Sequence, residues 1–147
     1  MKLVFVLVLL FAWVTLQDDP QRLNPSTSEE ILTLIQSNNY NLYTLFFYDS
    51  TTDNERKQQA NKDIEQRIDD VLLDNEDVYF AKIDVSNPNF DKLKSVVGVT
   101  STPSVLLMVH GKGTWISGTN SYLVVERLKD FLPNYKEASL HHANPEY

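Results

Sequence analysis

With 147 residues, 42% of them hydrophobic, the chain has material for one packed domain and not for two. Its 13 basic and 20 acidic residues leave a formal charge of -7, which argues against a nucleic-acid binder, since such proteins need a basic footprint for the phosphates. It contains no cysteine, so a disulfide framework, a thiolate metal site, a cysteine nucleophile and dithiol redox chemistry are all excluded.

The chain opens with Met1 and Lys2, an uncharged apolar run over residues 3–16, and an abrupt polar stop at Gln17-Asp18-Asp19-Pro20. One positive charge, a short apolar stretch and a polar boundary describe a secretory signal peptide. As a helix the run spans about 21 Å, short of the roughly 30 Å hydrocarbon core of a bilayer. The region Val14-Thr15-Leu16-Gln17 lacks a small-x-small cleavage pattern, so residues 1–17 read equally as a short retained membrane anchor. Cleavage implies a secretory-pathway lumen or secretion. Retention implies membrane anchoring through residues 3–16, in an endomembrane or the mitochondrial inner membrane, with the domain on the non-cytosolic side.

Residues 18–27 are polar, contain Pro20 and Pro25, and read as a linker. Ser26 and Thr27 stand three residues before Glu29 and Glu30, the capping-box spacing, and open an amphipathic helix carrying Ile31, Leu32, Leu34 and Ile35. Leu42–Tyr48 is a nearly continuous apolar and aromatic run, as expected of a strand buried on both faces. Asp49–Asn54 is a polar turn offering several helix caps. From Glu55 to about Asp74, Ala60, Ile64, Ile68, Val71 and Leu72 recur on one helical face.

Val78–Val85 predicts a second strand. Pro88 opens a short helix with Phe90, Leu93, Val96 and Val97, ending at Gly98. Ser104–Val109 predicts a third strand, His110–Gly113 a hairpin turn and Thr114–Ser117 the returning strand. After Gly118, a last helix over Ser121–Leu132 places Leu123, Val124, Leu128, Phe131 and Leu132 on one face. Pro133 ends it, and residues 134–147 form a flexible tail. A βαβ unit followed by a hairpin and a closing helix gives an α/β fold with a mixed central sheet and helices on both faces.

This ordered set resembles a thioredoxin-like domain, of the kind found in thioredoxins and protein disulfide isomerases, over residues 28–133. The resemblance is carried by Leu42–Tyr48 before a polar turn and long helix, by Tyr79-Phe-Ala-Lys-Ile-Asp84, and by the stretch from Val97 through Thr102-Pro103 to His110-Gly-Lys-Gly113. It implies a Cys-x-x-Cys site at the start of the helix after the first core strand, where the helix dipole lowers a thiol pKa. Those positions fall at Thr51 and Asn54, or at Ser50 and Asp53 with a one-residue slip. Ser50, Thr51, Thr52, Asp53 and Asn54 are therefore degenerate active-site positions without a thiol. The buried carboxylate of active members aligns near Leu45, which cannot titrate. The resemblance further implies that Thr102-Pro103 is the cis-proline loop, whose simplest role here is to shape the turn.

The remaining candidates are modest. Trp115, in the edge hairpin, is a candidate partner contact. His110, His141 and His142 are too sparsely supported for a metal site, and solvated histidines are the simpler reading. Asp49 and Asp53 could form a paired-carboxylate site but are better explained as helix caps. Ser50, Thr51 and Thr52 have no identifiable histidine base. No cofactor is implied.

These features predict a redox-inactive, non-catalytic binding or structural module outside the cytosol. It would be either soluble in a lumen or an accessory subunit of a membrane complex, such as a respiratory-chain complex, with protein as its partner. The competing readings are a lumenal folding factor like the disulfide isomerases and a thiol-independent enzyme using the Asp49–Asn54 edge.

Overall fold

The computed structural model describes residues 21–143, with side chains through residue 140. The expected signal or anchor at residues 1–17 lies outside the described residues, as do residues 144–147. No described helix is long and apolar enough to cross a membrane.

Among the described residues, four α-helices and four strands follow in the order α1 (Ser28–Gln36), β1 (Leu42–Tyr48), α2 (Glu55–Leu73), β2 (Val78–Asp84), α3 (Asp91–Val97, preceded by a 3-10 turn at Pro88–Phe90), β3 (Ser104–Val109), β4 (Lys112–Ser117) and α4 (Ser121–Ala143). The sheet order is β2-β1-β3-β4. β1 runs parallel to β2, and both β1–β3 and β3–β4 are antiparallel. This is the mixed sheet the element order demands.

β1 lies between two strands and under helices on both sides, so its apolar run is buried without alternation. Leu42 and Phe46 join Ala60, Ile64 and Ile68 of α2 and Val124, Leu128 and Leu132 of α4 in one core. Tyr43, Leu45 and Phe47 join Ile31 and Ile35 of α1 and Leu93 of α3 in the other. Successive residues of a strand point to opposite faces, and this period of two divides the cores. Each fully buried Phe or Leu contributes about 1.5–3 kcal/mol.

Several local expectations are corrected. Thr27 is the α1 N-cap, but its side chain makes no capping bond, while Glu30 accepts a hydrogen bond from the Ser26 N–H at 2.7 Å. Ser28, at the first position of the helix, is buried instead. Its hydroxyl donates to Asn89 O (2.9 Å) and accepts from Leu93 N–H (3.0 Å), pinning α1 to α3. The linker is partly ordered as well: Leu23 N–H donates to Phe80 O and Phe80 N–H to Gln21 O, both at 2.7 Å, so residues 21–23 line the β2 edge.

Pro133 does not end the last helix, and residues 134–143 are helical rather than tail. Val124, Val125, Leu128 and Leu132 form the buried face of α4, whereas Leu123 and Phe131 are exposed. The Thr114 and Tyr135 hydroxyls are 2.6 Å apart, and the Ser139 hydroxyl donates to Tyr40 O. Tyr135 packs against the α2–α4 core. The hairpin turn is the two residues His110 (φ 48°) and Gly111 (φ 77°). Positive φ at both positions matches the twist of the flanking strands, and glycine adopts it without a Cβ penalty.

Candidate functional site

The carboxyl ends of β1 and β2 are level, because Tyr48 pairs with Asp84. The Asp49–Asn54 turn leaves the sheet at this edge. Asp49 Oδ1 accepts from Thr51 N–H (2.9 Å) and from the Thr51 hydroxyl (2.6 Å). The Thr52 hydroxyl accepts from Asn54 N–H (3.3 Å), and Gln58 Nε2 donates to Thr52 O (2.8 Å). The α2 cap is Asn54, whose Oδ1 accepts from Lys57 N–H at 3.2 Å. Asp49 therefore closes the turn rather than the helix, and the cap role expected of Asp49 and Asp53 belongs to Asn54. Asp53 is exposed.

Ser50 turns toward β2. Its N–H donates to Asp84 Oδ1 (3.2 Å), its hydroxyl donates to Asp84 Oδ2, and it meets the Ser86 hydroxyl at 3.1 Å. Ser86 adds two donors to Asp84 Oδ1, its N–H at 3.1 Å and its hydroxyl at 2.7 Å. Burial pushes the Asp84 carboxyl up, but the hydroxyl and backbone donors of Ser50 and Ser86 together outweigh it. They hold the group below its ordinary range. A carboxylate whose two oxygens already accept four hydrogen bonds is a poor general base, and no histidine or lysine is hydrogen-bonded to these hydroxyls among the described residues. Chemically, the cluster is a clasp that ties the turn after β1 to the turn after β2.

Thr102-Pro103 lies at the same end of the sheet, one step beyond the Phe47–Ser104 pair, and its peptide bond is cis. Pro103 is buried, and its carbonyl accepts from Gly118 N–H at 3.4 Å. Alongside, the Lys82 ammonium bonds Glu65 at 2.9 Å, which raises its pKa against some burial. Tyr48 is raised by burial, partly offset by Lys82.

Trp115 is not part of this edge. It pairs with Leu106 in the middle of β3–β4, on the α1–α3 face, with its ring 5.5 Å from that of Phe47 and 37% of its surface exposed. It lines an open groove of about 580 Å³ with Ile35, Val96, Val97, Leu106 and Met108. Gly113 lies on the same face, and a Cβ there would come within 2.9 Å of Leu106 Cδ1 and 3.1 Å of Leu107 O. His110, at the tip, is exposed but not merely solvated. Its ring stacks on Tyr40 at 4.2 Å, and its Nδ1 is 3.2 Å from Asn39 O.

Sequence reasoning singled out Trp115 but not the groove, nor the Ser50–Asp84–Ser86 cluster. The available signals were a glycine two residues before Trp115 on the same face of an edge strand, and an Asp-x-Ser turn at a strand end level with Asp49-Ser50.

No family model matches the chain, and no curated protein is similar to it. Solved structures are similar in fold. Thioredoxin O2 from Arabidopsis thaliana superposes with a TM-score of 0.63 at 14% identity, over 80% of this chain and 96% of its own. Thioredoxin from Trypanosoma brucei brucei gives 0.60 at 18%, over 80% and 96%. Fasciola hepatica thioredoxin gives 0.56 at 21%, over 71% and 94%. At such identities the likeness concerns architecture. In fold, this chain is a thioredoxin-like domain without the Cys-x-x-Cys motif.

Proposed function

We propose that the protein is a non-catalytic, protein-binding thioredoxin-like module acting outside the cytosol. It takes an extended apolar segment of a partner along β4 and the Trp115 groove. The single observation that carries this reading is the asymmetry of the sheet edges. The outer edge of β2 is bridged at Phe80 by residues 21–23, whereas β4 has no strand on its outer side among the described residues and borders the Trp115 groove. An uncovered strand edge offers main-chain hydrogen bonds, and an adjacent groove selects alternate side chains. The absence of cysteine supports the non-catalytic part. The sequence of residues 1–17 supports the compartment, and with a retained anchor the module would serve as an accessory subunit of a membrane complex.

The test is a fluorescence titration of the full chain with extended peptides of alternating apolar and polar residues. Binding should weaken about tenfold on Trp115→Ala, the loss expected of an aromatic anchor. Equal affinity for the variant would refute the groove, and reduction of insulin disulfides by the purified protein would refute the non-catalytic claim. N-terminal sequencing of the mature protein separates the forms: a start near Asp18 indicates the lumenal module.

A further inference from the structure

On the other face of the hairpin, between the start of β4 and the last turns of α4, lies a separate cavity of about 360 Å³. It is at the sheet end opposite Asp49–Asn54, because β1 begins there and β3 finishes there. The stacked Tyr40 and His110 rings and the ring of Tyr135 make it an aromatic-walled site, with Val109 and Ala138 adding apolar surface. Each wall is held in place. The Tyr135 hydroxyl is bonded to Thr114, the Tyr40 carbonyl accepts from Ser139, and His110 Nδ1 is engaged with Asn39 O.

Two polar side chains complete the lining, Lys112 and Asn134. Lys112 makes no ion pair among the described residues, whereas Lys136, two residues past Asn134 on α4, is paired with Asp77 at 3.3 Å. An acidic protein thus places an exposed ammonium, without an ion pair among the described residues, and an exposed amide beside an aromatic cavity. Small-ligand sites have this composition, mostly apolar walls with a few convergent polar groups, and this volume lies in their usual range of roughly 300–1,000 Å³.

We propose that this cavity binds a small aromatic carboxylate. The flat ring would stack within the walls of Tyr40, His110 and Tyr135, and the carboxylate would meet Lys112 and Asn134. A ring without an acid leaves the Lys112 charge unmatched, and an acid without a ring leaves the aromatic walls wet. The site shares His110 with the Trp115 groove but does not depend on a peptide occupying it.

The experiment uses indole-3-acetate as probe against the full, isotopically labelled chain, followed by amide shifts. Saturable shifts confined to residues around Val109–Lys112 and Asn134–Ala138 are expected. Indole-3-acetamide, which lacks the charge, should bind about tenfold more weakly, as should the probe to Lys112→Met, each corresponding to the loss of one charge-assisted contact. Ala138→Leu, which fills the cavity without removing a polar group, should abolish the shifts. Lys129→Met, an exposed lysine elsewhere on α4, should leave them unchanged. The proposal is overturned by the absence of saturable shifts up to roughly 10 mM probe, a concentration that would detect even very weak binding. It is equally overturned by equal binding of acid and amide, or by unaltered binding to Ala138→Leu.

Discussion

Asp84 shows how a side chain with no sequence motif of its own comes to organise an edge. It accepts from both the N–H and the hydroxyl of Ser50 and of Ser86. Asp84→Asn replaces a charged acceptor with an amide that cannot accept at both positions. It should lower stability by about 1–3 kcal/mol near neutral pH, measured by urea denaturation. The pH dependence follows from the lowered pKa. A carboxyl with a depressed folded pKa contributes stability above its unfolded value of about 3.9 and loses it as pH falls through the folded value. The gap between wild type and Asp84→Asn should therefore narrow on acidification through that window. A gap constant from pH 7 down to the acid limit would refute the clasp. Gly113→Ala is a second case: a Cβ at 2.9 Å from Leu106 Cδ1 and 3.1 Å from a backbone carbonyl should cost about 1–3 kcal/mol in the same assay. The Ser50–Asp84 contact could not be read from spacing, because the two residues are 34 positions apart and meet only through the β1–β2 register.

Among the helices and strands, the strands follow their apolar runs closely, since a seven-residue run such as Leu42–Tyr48 has no other way to bury both faces. Helix α2 is equally plain, with all five residues of the expected stripe buried and an Asn cap at its start. Helix α4 is where local rules mislead. A proline in a helix interior removes a donor and crowds the preceding turn, a cost of about 3 kcal/mol, so a stop at Pro133 is the natural expectation. The helix continues to Ala143 because Tyr135 packs on the core and bonds Thr114, Ser139 bonds Tyr40, and Lys136 pairs with Asp77. A chain ending at Pro133 should consequently be less stable by about 2–4 kcal/mol, the sum of one partly buried aromatic and two hydrogen bonds. Equal denaturation midpoints for the two chains would show that the extra turns contribute nothing.

The two cores share one four-stranded sheet, and β1 contributes to both. Neither core can lose its packing while β1 stays in register. Unfolding should be one cooperative transition, with coincident tryptophan-fluorescence and far-UV circular dichroism curves and no response to reductant. Separate transitions would show that the faces are energetically independent. The same sheet also explains the asymmetry on which the binding proposal rests: β2 is bridged at Phe80 by residues 21–23, β4 lies at the far edge, and α1 and α3 stop short of covering Trp115.

The amino-acid order alone established the strands, most of the helices, the mixed sheet and the loss of thiol chemistry. Each of these depends on local periodicity, on a cap or turn residue, or on the presence of a residue type at all. The Ser50–Asp84–Ser86 cluster, the Trp115 groove, the cavity behind the hairpin and the run of α4 past Pro133 emerged only in three dimensions. They depend on pairs far apart in the chain, Thr114 with Tyr135 at 21 positions, Ser50 with Asp84 at 34 and Tyr40 with Ser139 at 99, and such pairs leave no periodic trace. They are set by strand register and by which helix face the sheet leaves uncovered.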